Sequence, residues 1–128
     1  MLKKYNQAQA KAIQACDGPV LVIAGAGSGK TSVLIQHIIY LIEKKNIKPE
    51  NILAVTFTNK AANEMKERIA KLANIDSEQN SLKYRIWIGT FHAICVRILH
   101  QHIKYLGFRK SFNIYDKNDT QRLIKKCL

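Results

Sequence analysis

Val20-Leu21-Val22-Ile23 runs directly into Ala24-Gly25-Ala26-Gly27-Ser28-Gly29-Lys30-Thr31, and that loop opens into Ser32-Val33-Leu34-Ile35. An apolar run, a glycine-rich loop and an apolar-periodic helix in this order form the strand–loop–helix unit of an α/β protein. The glycines allow the backbone to curl its N–H groups around an anion. The helix beginning near Lys30 adds unpaired N–H groups and the positive end of its dipole. The spacing fits the phosphate-binding pattern G-x-x-x-x-G-K-[ST], with Ala24 standing at the first glycine position. Lys30 is therefore expected to reach the β- and γ-phosphates of a nucleotide, and the Thr31 hydroxyl to hold Mg²⁺. A chance Lys-Thr after a glycine turn would not also carry the flanking strand and helix patterns.

The alternation continues along the chain. Residues 6–16 read as a helix, with Asn6 and Gln9 in capping-box spacing. Residues 20–24 read as the first strand and 30–45 as a helix whose Leu34, Ile38, Leu41 and Ile42 share a face. Residues 46–51, with Pro49, read as a turn. Ile52-Leu53-Ala54-Val55-Thr56 reads as a second buried strand, and 59–73 as a helix with Ala62, Met65, Ile69 and Leu72 inward. Residues 74–81 are polar and read as a loop. Arg85-Ile86-Trp87-Ile88-Gly89 reads as a third strand. The helix over 91–106 sets Ile94, Cys95, Ile98, Leu99, His102 and Ile103 along one side. A last helix starts near Asp116, with Leu123, Ile124 and Cys127 on one face. Strands alternating with helices predict a parallel sheet with helices on both faces.

Charge narrows the partners. Lys and Arg number 21 against 9 Asp and Glu in 128 residues, a net charge of +12. That surplus suits polyanions: nucleotides, nucleic acid or an anionic membrane. No acidic residue lies between Glu78 and Asp116, a stretch holding Lys83, Arg85, Arg97, Lys104, Arg109 and Lys110. Composition alone leaves a plain solvated basic face equally open. Hydrophobic residues at 47% exclude a disordered chain. Cys16, Cys95 and Cys127 form no C-x-x-C pair and fit a reducing compartment. His100 and His102, two apart on a helix, are poorly placed to join Cys95 around a metal. No signal-peptide pattern or membrane-length apolar run is present, so the expected location is cytoplasmic.

Two further segments leave the C-terminal ends of predicted strands, where open α/β sheets bind ligands. In Thr56-Phe57-Thr58-Asn59-Lys60-Ala61-Ala62-Asn63-Glu64-Met65, residues Thr58, Asn59 and Lys60 fall at a helix N-terminus suited to a phosphate. Phe57 sits in a polar setting, where it either stacks a nucleobase or plugs the sheet edge. Gly89-Thr90-Phe91-His92 holds the equivalent place after the third strand. On its residues alone it reads as a glycine turn with Thr90 as helix N-cap and His92 at the surface. Phe112-Asn113-Ile114-Tyr115-Asp116 mimics a strand ending in a metal-binding carboxylate. The following Lys117-Asn118-Asp119 is wrong for that motif, and Asp116 with Asp119 makes a helix start.

In this order the blocks closely resemble the start of superfamily I DNA helicases of the UvrD/Rep type. A-G-A-G-S-G-K-T at 24–31 is similar to motif I, T-F-T-N-K-A-A-x-E-M at 56–65 to motif Ia, and G-T-F-H at 89–92 to motif Ib. Tyr5-Asn6-Gln7-Ala8-Gln9-Ala10-Lys11-Ala12-Ile13 is similar to the Q motif of that family. The resemblance covers nearly the whole chain. It implies an α/β fold: part of a RecA-like P-loop NTPase domain over residues 1–110, then the start of an inserted helical subdomain over 111–128. It implies that Gln9 reads adenine, that residues 24–31 hold the triphosphate of ATP, and that Thr31 holds Mg²⁺. By the same resemblance Phe57, Thr58, Asn59, Lys60, Thr90, Phe91 and His92 lie on single-stranded DNA. Gln9 must then share its amide between adenine and the capping box with Asn6.

Ser32 departs from the family, many of whose members carry Arg there. No apolar strand ending in Asp-Glu, arginine finger or second RecA-like domain follows in these residues. The expected molecule is the N-terminal piece of an ATP-dependent 3′-to-5′ DNA helicase of repair or replication. It would depend on the remaining helicase domains for turnover and would not engage a membrane. The alternatives are a nucleic-acid-binding P-loop module, a helicase–nuclease subunit and a small P-loop kinase. The kinase would need an acceptor site and a metal carboxylate that the sequence does not offer.

Overall fold

Local capping chemistry sets several of the element boundaries in the computed structural model, which describes residues 4–72, 86–109 and 111–127. Asn6 Oδ1 accepts the Gln9 N–H at 2.8 Å and Gln9 Oε1 accepts the Asn6 N–H at 3.0 Å, so a reciprocal capping box starts α1 (Gln7–Gln14). α2 (Lys30–Glu43) begins at Gly29, whose φ of 81° is the left-handed conformation that glycine tolerates. A 3-10 turn over Pro49–Asn51 leads into β1 (Leu53–Thr56). α3 (Asn59–Leu72) follows, then β2 (Trp87–Thr90) and α4 (Phe91–His102). A 3-10 turn over Ile103–Leu106 and α5 (Lys117–Cys127) end the chain. The expected loop at 74–81 and Arg85 of the expected third strand lie outside the described residues.

The chain divides into two compact units, Met1–Ile94 and Cys95–Leu128. In the first unit β1 and β2 pair in parallel, with Leu53 opposite Trp87, Ala54 opposite Ile88, Val55 opposite Gly89 and Thr56 opposite Thr90. A parallel pair needs a crossover, and α3 lies in it. Ala54 and Ile88 face one way and join a buried cluster with Ile35, Ile38 and Ile39 of α2 and Ala62, Met65 and Ile69 of α3. The opposite sheet face carries Leu53, which is 55% exposed, so the expected cover on both faces is incomplete among the described residues. At its Gly89 end that face meets α4: a Cβ on Gly89 would lie 3.4 Å from Ile94 Cδ1. Ile13 of α1 is fully buried, and its carbonyl accepts the His37 Nδ1–H at 2.7 Å, fastening α1 to α2.

Three expectations are corrected. Residues 20–24 do not form a buried strand: Leu21 is 84% and Ile23 88% exposed, and among the described residues no strand pairs with them. Strand character depends on a ladder partner and a covered face, which local composition does not supply. On α2 the inward face is rotated. Leu34 is exposed while Ile35 and Ile39 are buried beside Ile38; Leu41 and Ile42 are only partly buried against the core. Apolar residues surround this helix almost completely, so periodicity alone does not fix which stripe packs. Gln36 takes an inward place, its Nε2 without a hydrogen-bond partner among the described residues. Leu72 is likewise exposed at the end of α3.

The second unit is more open. Of the side expected to be buried on residues 95–106, Ile103 is buried, whereas Cys95, Ile98, Leu99 and His102 are exposed. The helix stops at His102 and passes through the 3-10 turn to Gly107. Residues 112–116 form no strand. Asp119 N–H donates to Asp116 Oδ1 at 2.7 Å and Asp116 N–H to Asp119 Oδ2 at 3.3 Å, the helix start expected there. Leu123, Ile124 and Cys127 of α5 are exposed. The His100 and Phe112 rings lie 4.7 Å apart between centroids.

Candidate functional site

The glycine-rich loop is folded on itself by its own polar groups. Lys30 Nζ donates to the carbonyls of Ala24, at 3.1 Å, and Gly25, at 2.6 Å. Ser28 Oγ–H donates to the Gly25 carbonyl at 2.7 Å. Gly27 and Gly29 take φ of 73° and 81°, so the turn between Ala26 and α2 rests on two residues without a Cβ. Val33 N–H makes the first intrahelical bond of α2, to the Gly29 carbonyl at 3.0 Å, which leaves the N–H groups of Lys30, Thr31 and Ser32 without helical partners. Thr31 is exposed on that first turn. A cation, free N–H groups and a helix N-terminus thus converge on one loop, the donor set that a polyphosphate requires.

Gln9 is also part of this site. Its Nε2 donates to the Ser28 carbonyl at 3.1 Å while Oε1 serves the capping box. An amide oxygen carries two lone pairs and an amide nitrogen two hydrogens, so one of each remains for a ligand. Beside the loop lies a cavity of about 560 Å³, walled by Ala12, Val20, Val22, Val33 and Leu34, with Gln9 and Lys30 as polar lining. Its size and its apolar wall with few polar groups suit a small organic ligand. The sequence signals did not reveal three contacts here: Gln9 with Ser28, His37 with Ile13, and Tyr5 Oη with Ser32 Oγ at 3.3 Å. Each joins residues far apart in sequence, where no local pattern reports it.

The second cluster lies at the C-terminal edge of the sheet. Because Thr56 pairs with Thr90, the segments after β1 and β2 leave side by side. Thr58 Oγ1 accepts the Ala61 N–H at 3.1 Å and Thr90 Oγ1 accepts the Ala93 N–H at 3.3 Å, so each threonine caps the helix that follows it. Asn59, Lys60 and His92 are exposed on the first turns of α3 and α4. Phe57 is 92% and Phe91 56% exposed, and their ring centroids are 5.9 Å apart at 49°. Phe57 therefore does not plug the sheet edge. Two tilted aromatic faces beside a lysine and two helix N-termini suit a strand of nucleotides. Among the described residues no group of three or more His, Cys, Asp or Glu could hold a metal ion.

The model of the UvrD/REP helicase N-terminal domain family matches residues 5–128. The chain belongs to this family. As a UvrD/REP N-terminal domain it carries part of a RecA-like fold, to which the parallel pair β1–β2 and its crossover helix α3 belong. Over all 128 residues it is 45% identical to the ATP-dependent DNA helicase PcrA of Staphylococcus aureus. It is 44% identical over the same length to PcrA of Staphylococcus epidermidis. The chain spans 17% of the length of these relatives. No described helix is long and apolar enough to cross a membrane.

Proposed function

We propose that the chain is the ATP- and single-stranded-DNA-binding N-terminal part of an ATP-dependent 3′-to-5′ DNA helicase, cytoplasmic and acting in DNA repair or replication. The observation that carries this reading is the convergence of Lys30, the Gly27–Gly29 turn and the free N-terminus of α2 beside a cavity lined by Gln9. Family membership supplies the reaction class. The triphosphate of ATP lies along residues 24–31, with Lys30 turned from the Ala24 and Gly25 carbonyls to the β- and γ-phosphates. Thr31 offers its hydroxyl to Mg²⁺, which when bound neutralises phosphate charge. The remaining lone pair and N–H of Gln9 match the donor and acceptor on an adenine edge.

Single-stranded DNA crosses the sheet edge, with bases against Phe57 and Phe91 and the sugar–phosphate backbone along Thr58, Asn59, Lys60, Thr90 and His92. Closure of the remaining helicase domains around ATP moves bases past Phe57. The test is equilibrium binding of a fluorescent ATP analogue with Mg²⁺ to the wild-type chain and to Lys30→Ala. Removing a charged contact worth about 1.5–3 kcal/mol should weaken binding by about 10- to 150-fold. Equal affinity in both proteins, or no nucleotide binding by wild type, refutes the reading.

A further inference from the structure

Gln9 connects α1 to the loop that holds Lys30 through hydrogen bonds that meet at Ser28 and Gly25. Asn6 N–H donates to Gln9 Oε1 and Gln9 Nε2–H to the Ser28 carbonyl, at 3.0 and 3.1 Å. Ser28 Oγ–H and Lys30 Nζ then meet on the Gly25 carbonyl, at 2.7 and 2.6 Å. Ser28 is also the residue between Gly27 and Gly29, both at positive φ. Glycine restrains its own backbone least, so a tether at Ser28 acts where the loop is otherwise freest. In a trans peptide the C=O and the following N–H point in opposite directions. Holding the Ser28 carbonyl towards α1 therefore fixes the Gly29 N–H on the other side of the peptide plane. Gln9 Nε2 lies 3.5 Å from where a Gly29 Cβ would stand, so its amide rests on that same peptide.

We propose that Gln9 is a positioning residue for the phosphate-binding loop, acting through the Ser28 carbonyl and independently of any contact with a base. The inference rests on residues 24–31 being the phosphate site. A glutamine that only reads adenine contributes nothing to a ligand without a base; a glutamine that shapes the loop does.

Calorimetric titration of the full chain with Mg²⁺ and tripolyphosphate separates the two, with ATP titrated in parallel. Gln9→Ala should weaken tripolyphosphate binding by about 3- to 10-fold, the range of one neutral hydrogen bond. Gln9→Met, which keeps the side-chain length without the amide, should do the same. Asn6→Ala removes the other half of the capping box, whose side-chain bond is to the Gln9 N–H and not to the loop, and should leave tripolyphosphate affinity unchanged. The carbonyl ¹³C resonance of Ser28 should move in both Gln9 variants and stay in place in Asn6→Ala, a signature that a merely structural role would not produce. Unchanged tripolyphosphate affinity in both Gln9 variants, with ATP affinity reduced, overturns the inference in favour of base reading alone. Equal losses in Gln9→Ala and Asn6→Ala overturn it in favour of a helix-cap effect. A wild-type chain that does not bind tripolyphosphate overturns the phosphate-site reading, and this inference with it.

Discussion

Phe57→Ala isolates the role of the sheet edge. The ring is 92% exposed and touches Phe91 at 5.9 Å, so its removal takes little from the buried core. Stability should change little, within the range of surface substitutions. Affinity for single-stranded DNA should fall by about 1–3 kcal/mol, the value of one stacked base, which is about 5- to 150-fold. Phe91 shares the contact, so Phe91→Ala and the double variant should be non-additive by about 0.5–1.5 kcal/mol. Fluorescence anisotropy with a short labelled oligothymidylate reads all four proteins. Low ionic strength is the right condition, because phosphate contacts strengthen as salt falls. Wild-type affinity in Phe57→Ala, with Lys44→Ala and Lys60→Ala equally weakened, would leave only unspecific charge attraction and remove the DNA track.

Lys60→Ala should lower the slope of log affinity against log salt by about 0.7, one phosphate contact on a single strand. Lys44, which caps the far end of α2, serves as the remote control and should leave the slope unchanged under the same titration. Ile69→Ala empties a position that is 1% exposed in the cluster joining α2, α3 and both strands, and should destabilise the fold by about 2–5 kcal/mol in chemical denaturation. The purified 128-residue chain is expected to release phosphate from ATP slowly, because an arginine finger is worth about 10³–10⁵ in rate and none of residues 24–31 is an arginine. Brisk, DNA-stimulated phosphate release from the purified chain would contradict that.

Legibility followed the range of the forces involved. The capping boxes at Asn6–Gln9 and Asp116–Asp119 were readable because each is a bond between residues three apart. The inward places of Ala62, Met65 and Ile69 were readable because α3 has one apolar stripe against a polar remainder. α2 offered no such contrast, and its packed stripe was set by contacts with other elements. Residues 20–23 carry strong strand propensity, but a ladder is a relation between distant segments and has no trace in four residues. Around the loop, the glycine spacing announced the turn that Gly27 and Gly29 make at positive φ, whereas the bond from Gln9 to Ser28 spans 19 positions and only the folded chain displays it.

The bare stretch from Val20 to Ile23 has a colloidal consequence. N–H and C=O rows that find no strand partner among the described residues, beside apolar side chains, are a template on which another copy can dock edge to edge. Pro19 breaks the row of donors at one end, a partial guard. The larger guard is the net charge of +12, through which two copies repel. That repulsion reaches about 10 Å at 0.1 M salt and only about 3 Å at 1 M. The chain should therefore stay monodisperse in dilute buffer and self-associate as salt rises, which light scattering would follow directly. Val22→Lys, placing a charge inside the sticky stretch, should move that onset to higher salt.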